Sequence, residues 1–206
     1  LGRTCDRPCE PACRRGRVEE NNGQNAEPVA ICRLKRVAAD MKGDVKARMP
    51  TIVPSNGKRV ACVGAGPASL TVARDLAPLG YEVTVFDGEA KAGGFIRSQI
   101  PRFRLPESVI DEETGYIFDL GVKFRHGERV DSMRELLTRH YDAVFVGCGA
   151  PRGRNLDIPG RQEAAENIHI GIDWLASVSF GHITEIAPRV IVLGGGNTAM
   201  DCCRSA

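Results

Sequence analysis

Arg59-Val60-Ala61-Cys62-Val63-Gly64-Ala65-Gly66-Pro67-Ala68-Ser69 is the stretch that decides the fold. Its first five residues form a short apolar run of the kind buried on both faces of a parallel sheet. The run passes directly into a glycine loop, and Pro67 pre-sets the first turn of a helix expected to reach Leu79. Pro78 falls in the last turn of that helix and must shorten or kink it. A second strand follows, Glu82-Val83-Thr84-Val85-Phe86, closing on Asp87. This is one βαβ unit. Gly64 permits the tight turn, Gly66 lets the backbone approach a pyrophosphate, and the helix start offers free N–H groups. Asp87, 23 residues after Gly64, stands where an acidic side chain takes a ribose hydroxyl. Gly64, Ala65, Gly66, Pro67, Ala68, Ser69 and Asp87 therefore form a candidate dinucleotide site. The competing reading is a glycine turn with no ligand. Ser69 replaces the usual third Gly or Ala and is expected to loosen helix–strand packing slightly.

Working downstream, Glu107–Leu120 reads as a helix with Ile110, Ile117 and Leu120 inward, and Gly121-Val122-Lys123-Phe124 as a strand. Ser132-Met133-Arg134-Glu135 is a capping box. Tyr141-Asp142-Ala143-Val144-Phe145-Val146 is a further buried strand ending at Gly147-Cys148-Gly149-Ala150, where Gly149 and its neighbour suit close approach of a cofactor. Arg189-Val190-Ile191-Val192-Leu193 reads as another parallel-type strand leading into Gly194-Gly195-Gly196-Asn197-Thr198-Ala199. Two strand–glycine loop–helix units suggest two dinucleotides, a flavin and a nicotinamide. Only ten residues follow Gly196, so the strand carrying the ribose-reading residue is missing from this sequence. The second loop is expected to form as structure but not as a working site. The chain alone is not expected to oxidise NAD(P)H at an enzymatic rate.

Upstream, four of the eight cysteines fall in the first 32 residues: Cys5, Cys9, Cys13 and Cys32. Residues 1–27 are polar and include the loop-like Glu20–Asn25, so a bound metal is a plausible organiser. A helix is expected from Pro28, with Ile31, Leu34, Ala38 and Met41 on one face and Gly43 ending it. The linker Met49–Gly57 separates it from the sheet. Zinc is one reading of the thiols; their even spacing suits a [4Fe–4S] cluster, which wants four thiolates. Cys32 is either a ligand activated at a helix start or a small core residue. Cys62 reads as core, Cys202 and Cys203 as helix residues without a partner, and Cys148 as lying near a cofactor. His126, His140, His169 and His182 form no ligand spacing and read as surface.

With 206 residues the chain can hold one or two domains with true cores. A net charge of +2 gives no reason to expect a nucleic-acid or membrane-surface partner. There is no spanning apolar run and no basic-then-apolar leader, so a cytoplasmic location is expected. A start at Leu1 and a stop inside an expected helix read as the two ends of a segment. The domains expected are a small, mainly helical iron–sulfur module over 1–48, a Rossmann-type FAD-binding α/β domain over 58–160, and the truncated start of a second Rossmann domain, for NAD(P), over 161–206.

Gly2-Arg3-Thr4-Cys5, Pro8-Cys9-Glu10, Cys13, Pro28-Val29-Ala30-Ile31, Gly64–Ala68, Gly93-Gly94, Ile100-Pro101, Tyr141–Phe145 and Gly194–Asp201 together resemble the glutamate synthase small subunit and its relatives. These include the N-terminal part of dihydropyrimidine dehydrogenase and iron–sulfur transhydrogenase subunits. The resemblance covers nearly the whole chain. It implies FAD on the first glycine loop, touched also by Gly94, Ile100 and Pro101. NAD(P)H would lie on the second, at Gly194, Gly196, Asn197 and Thr198. It implies two [4Fe–4S] clusters, with Cys5 and Cys9 on one and Cys13 on the other. Cys32 lies within a helical turn of the place where the family supplies a last ligand to the first cluster. Where the family keeps a glycine before Ile-Pro, this chain has Gln99. The implied function is an oxidoreductase passing electrons from NAD(P)H through FAD and clusters to a larger partner subunit or domain. No protein acid or base is required, so no catalytic residue is assigned. The alternative is a non-catalytic, cluster-organised relay module with an empty flavin site.

Overall fold

The computed structural model describes residues 2–18 and 26–206; the Glu20–Asn25 stretch lies outside them. The chain divides into two compact units, Leu1–Met49 and Pro50–Ala206.

In the first unit a 3₁₀ turn at Arg14–Arg17 precedes helix α1, Ile31–Asp40. The helix begins three residues later than Pro28, because the first i→i−4 bond runs from Leu34 N to Ala30 O. It closes with Met41 N on Val37 O, and Gly43 takes the left-handed conformation just beyond, at φ +64°. The apolar stripe read from the sequence is not its buried face: Leu34 and Met41 are exposed, and Cys32 is the one buried residue of α1.

The second unit is built on a parallel sheet of order β3-β2-β1-β4, the α/β arrangement expected. Its strands are β1 Arg59–Val63, β2 Glu82–Asp87, β3 Lys123–His126 and β4 Ala143–Val146. Cys62 pairs with Val85 on one side and Phe145 on the other. Ala61, Cys62 and Val85 are wholly excluded from solvent, as a central apolar strand pair requires. Helix α2, Pro67–Leu76, stops before Pro78. A 3₁₀ turn, Ala77–Leu79, follows and Gly80 reverses the chain at φ +82°. The missing N–H and ring clash at Pro78 end the helix where the sequence said they must. Helix α3 is Phe95–Ser98 and α4 is Glu107–Phe118, with Ile110 and the following Leu120 buried. Helix α5, Met133–Thr138, opens on the capping box, Ser132 Oγ accepting from Glu135 N at 3.3 Å. Strand β3 starts two residues later than expected, since Gly121 turns the chain at φ +84°.

Helices α6, Gly171–Ser179, and α7, Asn197–Ser205, pack together through Trp174, Leu175 and Cys202. The expected strand at Arg189–Leu193 does not form. Among the described residues no neighbouring strand satisfies its backbone, and an isolated extended run gains nothing from ladder bonds. Ile191 and Leu193 are exposed; Val192 packs against the Trp174 cluster. Cys202 likewise has a partner the sequence did not reveal, its Sγ 3.6 Å from Gly171 O.

Candidate cofactor and cluster sites

The first glycine loop sits where three parallel strand ends meet. Gly64 N donates to Phe86 O and Gly147 N to Val63 O, each at 2.8 Å, so the ladder runs past the ends of the strands into the loop. Gly64 has φ +92°, and a Cβ there would stand 2.7 Å from Gly147 O. Gly66 caps α2 at φ −79°, ψ 175°. Gly93 N donates to Ala65 O at 2.8 Å. That bond brings Gly94 over the loop at φ +52°, where a Cβ would be 2.7 Å from Gly66 Cα. Backbone alone fills this approach, leaving the N–H groups of the α2 start facing a cradle without side chains. Free N–H groups and a helix dipole are the chemistry that a diphosphate uses.

Asp87 holds the loop from the other side. Its Oδ2 accepts from Ala65 N at 2.5 Å and its Oδ1 from Glu89 N at 2.9 Å. Each oxygen keeps a lone pair free, so it can still receive a ribose hydroxyl. Ser69 is fully buried, with Oγ 3.4 Å from Val63 O. The looser packing expected there does not appear, because the facing residue is Gly147. A Cβ at 147 would overlap Ser69 Oγ and come within 2.9 Å of Phe145 Cε1. Gly149 takes φ +69° with open space around it, and Cys148 is exposed, its Sγ 3.8 Å from Val63 O.

Ile100 and Pro101 are buried in the protein. Ile100 lines a cavity of about 380 Å³ with Arg97, Arg102, Glu107, Phe180 and His182. Gln99 lies at φ −120°, which any residue adopts without strain. Arg97 is a buried cation that the sequence did not mark. It donates to Ala92 O at 2.6 Å, Glu107 Oε1 at 3.1 Å and Asp111 Oδ1 at 2.7 Å, tying the Gly93-Gly94 turn to α4. The available signal was two acids one helical turn apart facing an arginine beside a double glycine. Lys91, bonded to Glu107 at 2.6 Å, is the first cause of a carboxyl held below its ordinary range; Arg102 and Arg97 add to it.

The second glycine loop repeats the local backbone of the first. Gly196 caps α7 at φ −80°, ψ 175°, nearly the values of Gly66. Gly194 takes φ +134°, but Gly195 and Gly196 have no heavy atom within 4 Å of a Cβ position. Among the described residues, no backbone closes over Gly195 and Gly196 as Gly94 closes over Gly66.

In the first unit, the cysteine segment folds back on α1. A Cβ on Gly2 would lie 2.5 Å from Cys32 O, Arg3 pairs with Asp40 at 2.9 Å, and Glu10 Oε1 accepts from Cys32 N at 3.0 Å. These contacts place Cys5 and Cys9 near enough to Cys32 to influence its thiol. Burial first, then the neighbouring Cys5, Cys9 and Glu10, push the Cys32 thiol up. The Cys13 thiol is lowered, chiefly by backbone hydrogen bonding at Val29 and Arg15. Among the described residues all cysteines are free, and no three His, Cys, Asp or Glu side chains already form a metal-holding group. Cys5, Cys9 and Cys32 are soft thiol donors of the kind a cluster takes, but among the described residues they do not close into a metal-holding group. The four histidines are exposed, and no helix among the described residues is long and apolar enough to cross a membrane.

A parallel sheet with a glycine cradle and its acid defines a dinucleotide-binding redox fold, and residues 58–206 match the pyridine nucleotide-disulphide oxidoreductase family, to which the chain belongs. Over its whole length it is 36% identical to the NADP(+)-dependent formate dehydrogenase subunit beta of Moorella thermoacetica, covering 32% of that protein. It is 36% identical to the NADPH-Fe(3+) oxidoreductase subunit beta of Geobacter sulfurreducens, covering 30% of it. Over 98% of the chain it is 35% identical to the glutamate synthase (NADPH) small chain of Mycobacterium tuberculosis, covering 43% of that protein. The kinship with the glutamate synthase small subunit group thus holds, and the chain spans about a third of its curated relatives. A 2-naphthoyl-CoA reductase structure shares the fold, with TM-score 0.61 and 20% identity over 75% of this chain and 23% of that one.

Proposed function

We propose that this chain is the electron-entry segment of an NAD(P)H-dependent iron–sulfur flavoprotein that delivers electrons to a larger partner subunit or domain. The observation that carries the reading is the closed cradle of Gly64, Gly66 and Gly94, anchored by Asp87. In it FAD would be held with its diphosphate at the α2 start and its adenosine ribose at Asp87. Bound FAD would supply the step from hydride to single electrons. The chain's own residues bind and orient: Gly94 and Gly93 close the loop, and Arg97 fixes that closure to α4.

Cys5, Cys9 and Cys32 are proposed as ligands of one [4Fe–4S] cluster and Cys13 of a second. Gly194, Gly196, Asn197 and Thr198 would receive the NAD(P)H diphosphate in the complete protein. The name of one relative, NADPH-Fe(3+) oxidoreductase subunit beta, supports that direction of electron flow. Cofactor released by heat and resolved by chromatography should be FAD; finding only NAD would refute the flavin assignment. Anaerobic reconstitution should yield iron with acid-labile sulfide, and stoichiometric zinc without sulfide would refute the cluster assignment.

A further inference from the structure

Three consecutive residues, Arg102-Phe103-Arg104, join the segment behind Ile100-Pro101 to the helices beside the second glycine loop. Arg102 Nη2 donates to Ser179 O at the end of α6, at 2.8 Å. The Arg204 guanidinium lies 4.2 Å from the Phe103 ring centroid. Arg104 Nη1 is ion-paired with Oδ2 of Asp201, a buried carboxylate one turn beyond Asn197 and Thr198. Among the described residues Arg104 is the cation bonded to Asp201. A buried charge of this kind requires its counter-charge in place, so the pair fixes the α7 register against residues 100–105. The Trp174–Leu175–Cys202 contact and the Cys202 Sγ bond to Gly171 O hold α7 to α6, and the open glycines 195 and 196 add nothing.

We infer that the Arg104–Asp201 pair is a positioning link through which the flavin-side segment sets the placement of the second glycine loop. The inference rests on the reading that FAD occupies the first loop. By linkage, ordering one loop then favours the ordered placement of the other.

Trp174 is the sole tryptophan and packs on Cys202 of α7, so its accessibility reports α7 docking. Acrylamide quenching of Trp174 should rise about twofold or more in Arg104→Gln and in Asp201→Asn, as local opening becomes easier. Arg104→Lys should be intermediate, and the swap Arg104→Asp with Asp201→Arg should return most of the protection. Adding FAD to cofactor-free protein should lower quenching in the unaltered chain and not in the single variants. Unaltered quenching in both single variants, no recovery in the swap, or equal protection by FAD throughout would overturn the link. So would loss of the whole fold, by far-UV circular dichroism, in both single variants, since the pair would then be a general stabiliser. A failure of the flavin reading looks different. The unaltered chain also ignores FAD while the single variants still loosen Trp174, which overturns the coupling and leaves the hold on α7.

Discussion

The Ser69 hydroxyl and Gly147 share one space: a side chain at 147 would overlap Ser69 Oγ, so helix α2 can carry a buried serine beside the end of β1 because glycine follows β4. The two residues lie on different elements and meet only across the sheet end. Gly147→Ala should cost about 1–3 kcal/mol by overpacking, measured by urea unfolding of the cofactor-free chain. Ser69→Ala should cost about 1 kcal/mol or less, through a long hydrogen bond. The double variant should lose less than the sum, with coupling of about 0.5–1 kcal/mol, because Phe145 still crowds the added methyl. Strict additivity would refute the shared-space account.

The double glycine gives a second expectation. Gly94→Ala places a Cβ against Gly66 Cα at a left-handed φ. FAD affinity should fall at least about tenfold, since the loop cannot close, while the sheet remains folded. Titration followed by flavin fluorescence checks this; unchanged affinity would remove Gly94 from the site.

Asp87→Ala removes the carboxylate that accepts from Ala65 N and Glu89 N. A hydrogen bond to a charged group is worth about 1.5–3 kcal/mol, so FAD binding should weaken about tenfold to hundredfold. Asp87→Asn, which keeps an acceptor for one of the two N–H groups, should fall between. Equal affinity in all three proteins would count against the loop-anchoring role.

Thiol reactivity should divide sharply in the metal-free protein. Burial pushes the Cys62 thiol up to about 11, and it is fully enclosed in β1. Cys13 is partly exposed and its thiol lowered by backbone hydrogen bonds. Alkylation at neutral pH, mapped by mass spectrometry, should label Cys13 before Cys32 and leave Cys62 untouched until unfolding. Labelling of Cys62 in the native state would contradict the buried strand.

Acid stability should depend on Asp142. Its carboxylate accepts from Lys58 Nζ and Arg59 N, both at 2.8 Å, joining the starts of β1 and β4. Lys58 first, then the Arg59 amide, lowers its pKa. A lowered carboxylate stabilises the fold above its unfolded value, about 3.9, and that share vanishes as pH falls through the lower folded value. Asp142→Asn should therefore lower Tm at pH 7 and converge with the parent in strong acid. A constant offset at every pH would show that the loss is not ionic.

The amino-acid sequence by itself determined the first βαβ unit, its glycine loop, the Pro78 stop, the Ser132 cap and the acid at Asp87. The Pro78 stop and the Ser132 cap depend on residues within a few positions of one another, and the βαβ unit with its acid on a fixed order and spacing of strand, glycine loop and helix that can be read along the chain. Only the tertiary structure decided that Ser69 fits because of Gly147, and that Arg97 stays buried because Glu107 and Asp111 face it. It likewise decided that Arg104 meets Asp201, and that Cys32, not the Leu34–Met41 stripe, is what α1 buries. These pairings join residues 10 to 97 positions apart. The Arg189–Leu193 run shows the same limit in reverse. Its apolar residues read as a strand, but a strand needs a partner ladder, and local sequence does not supply one.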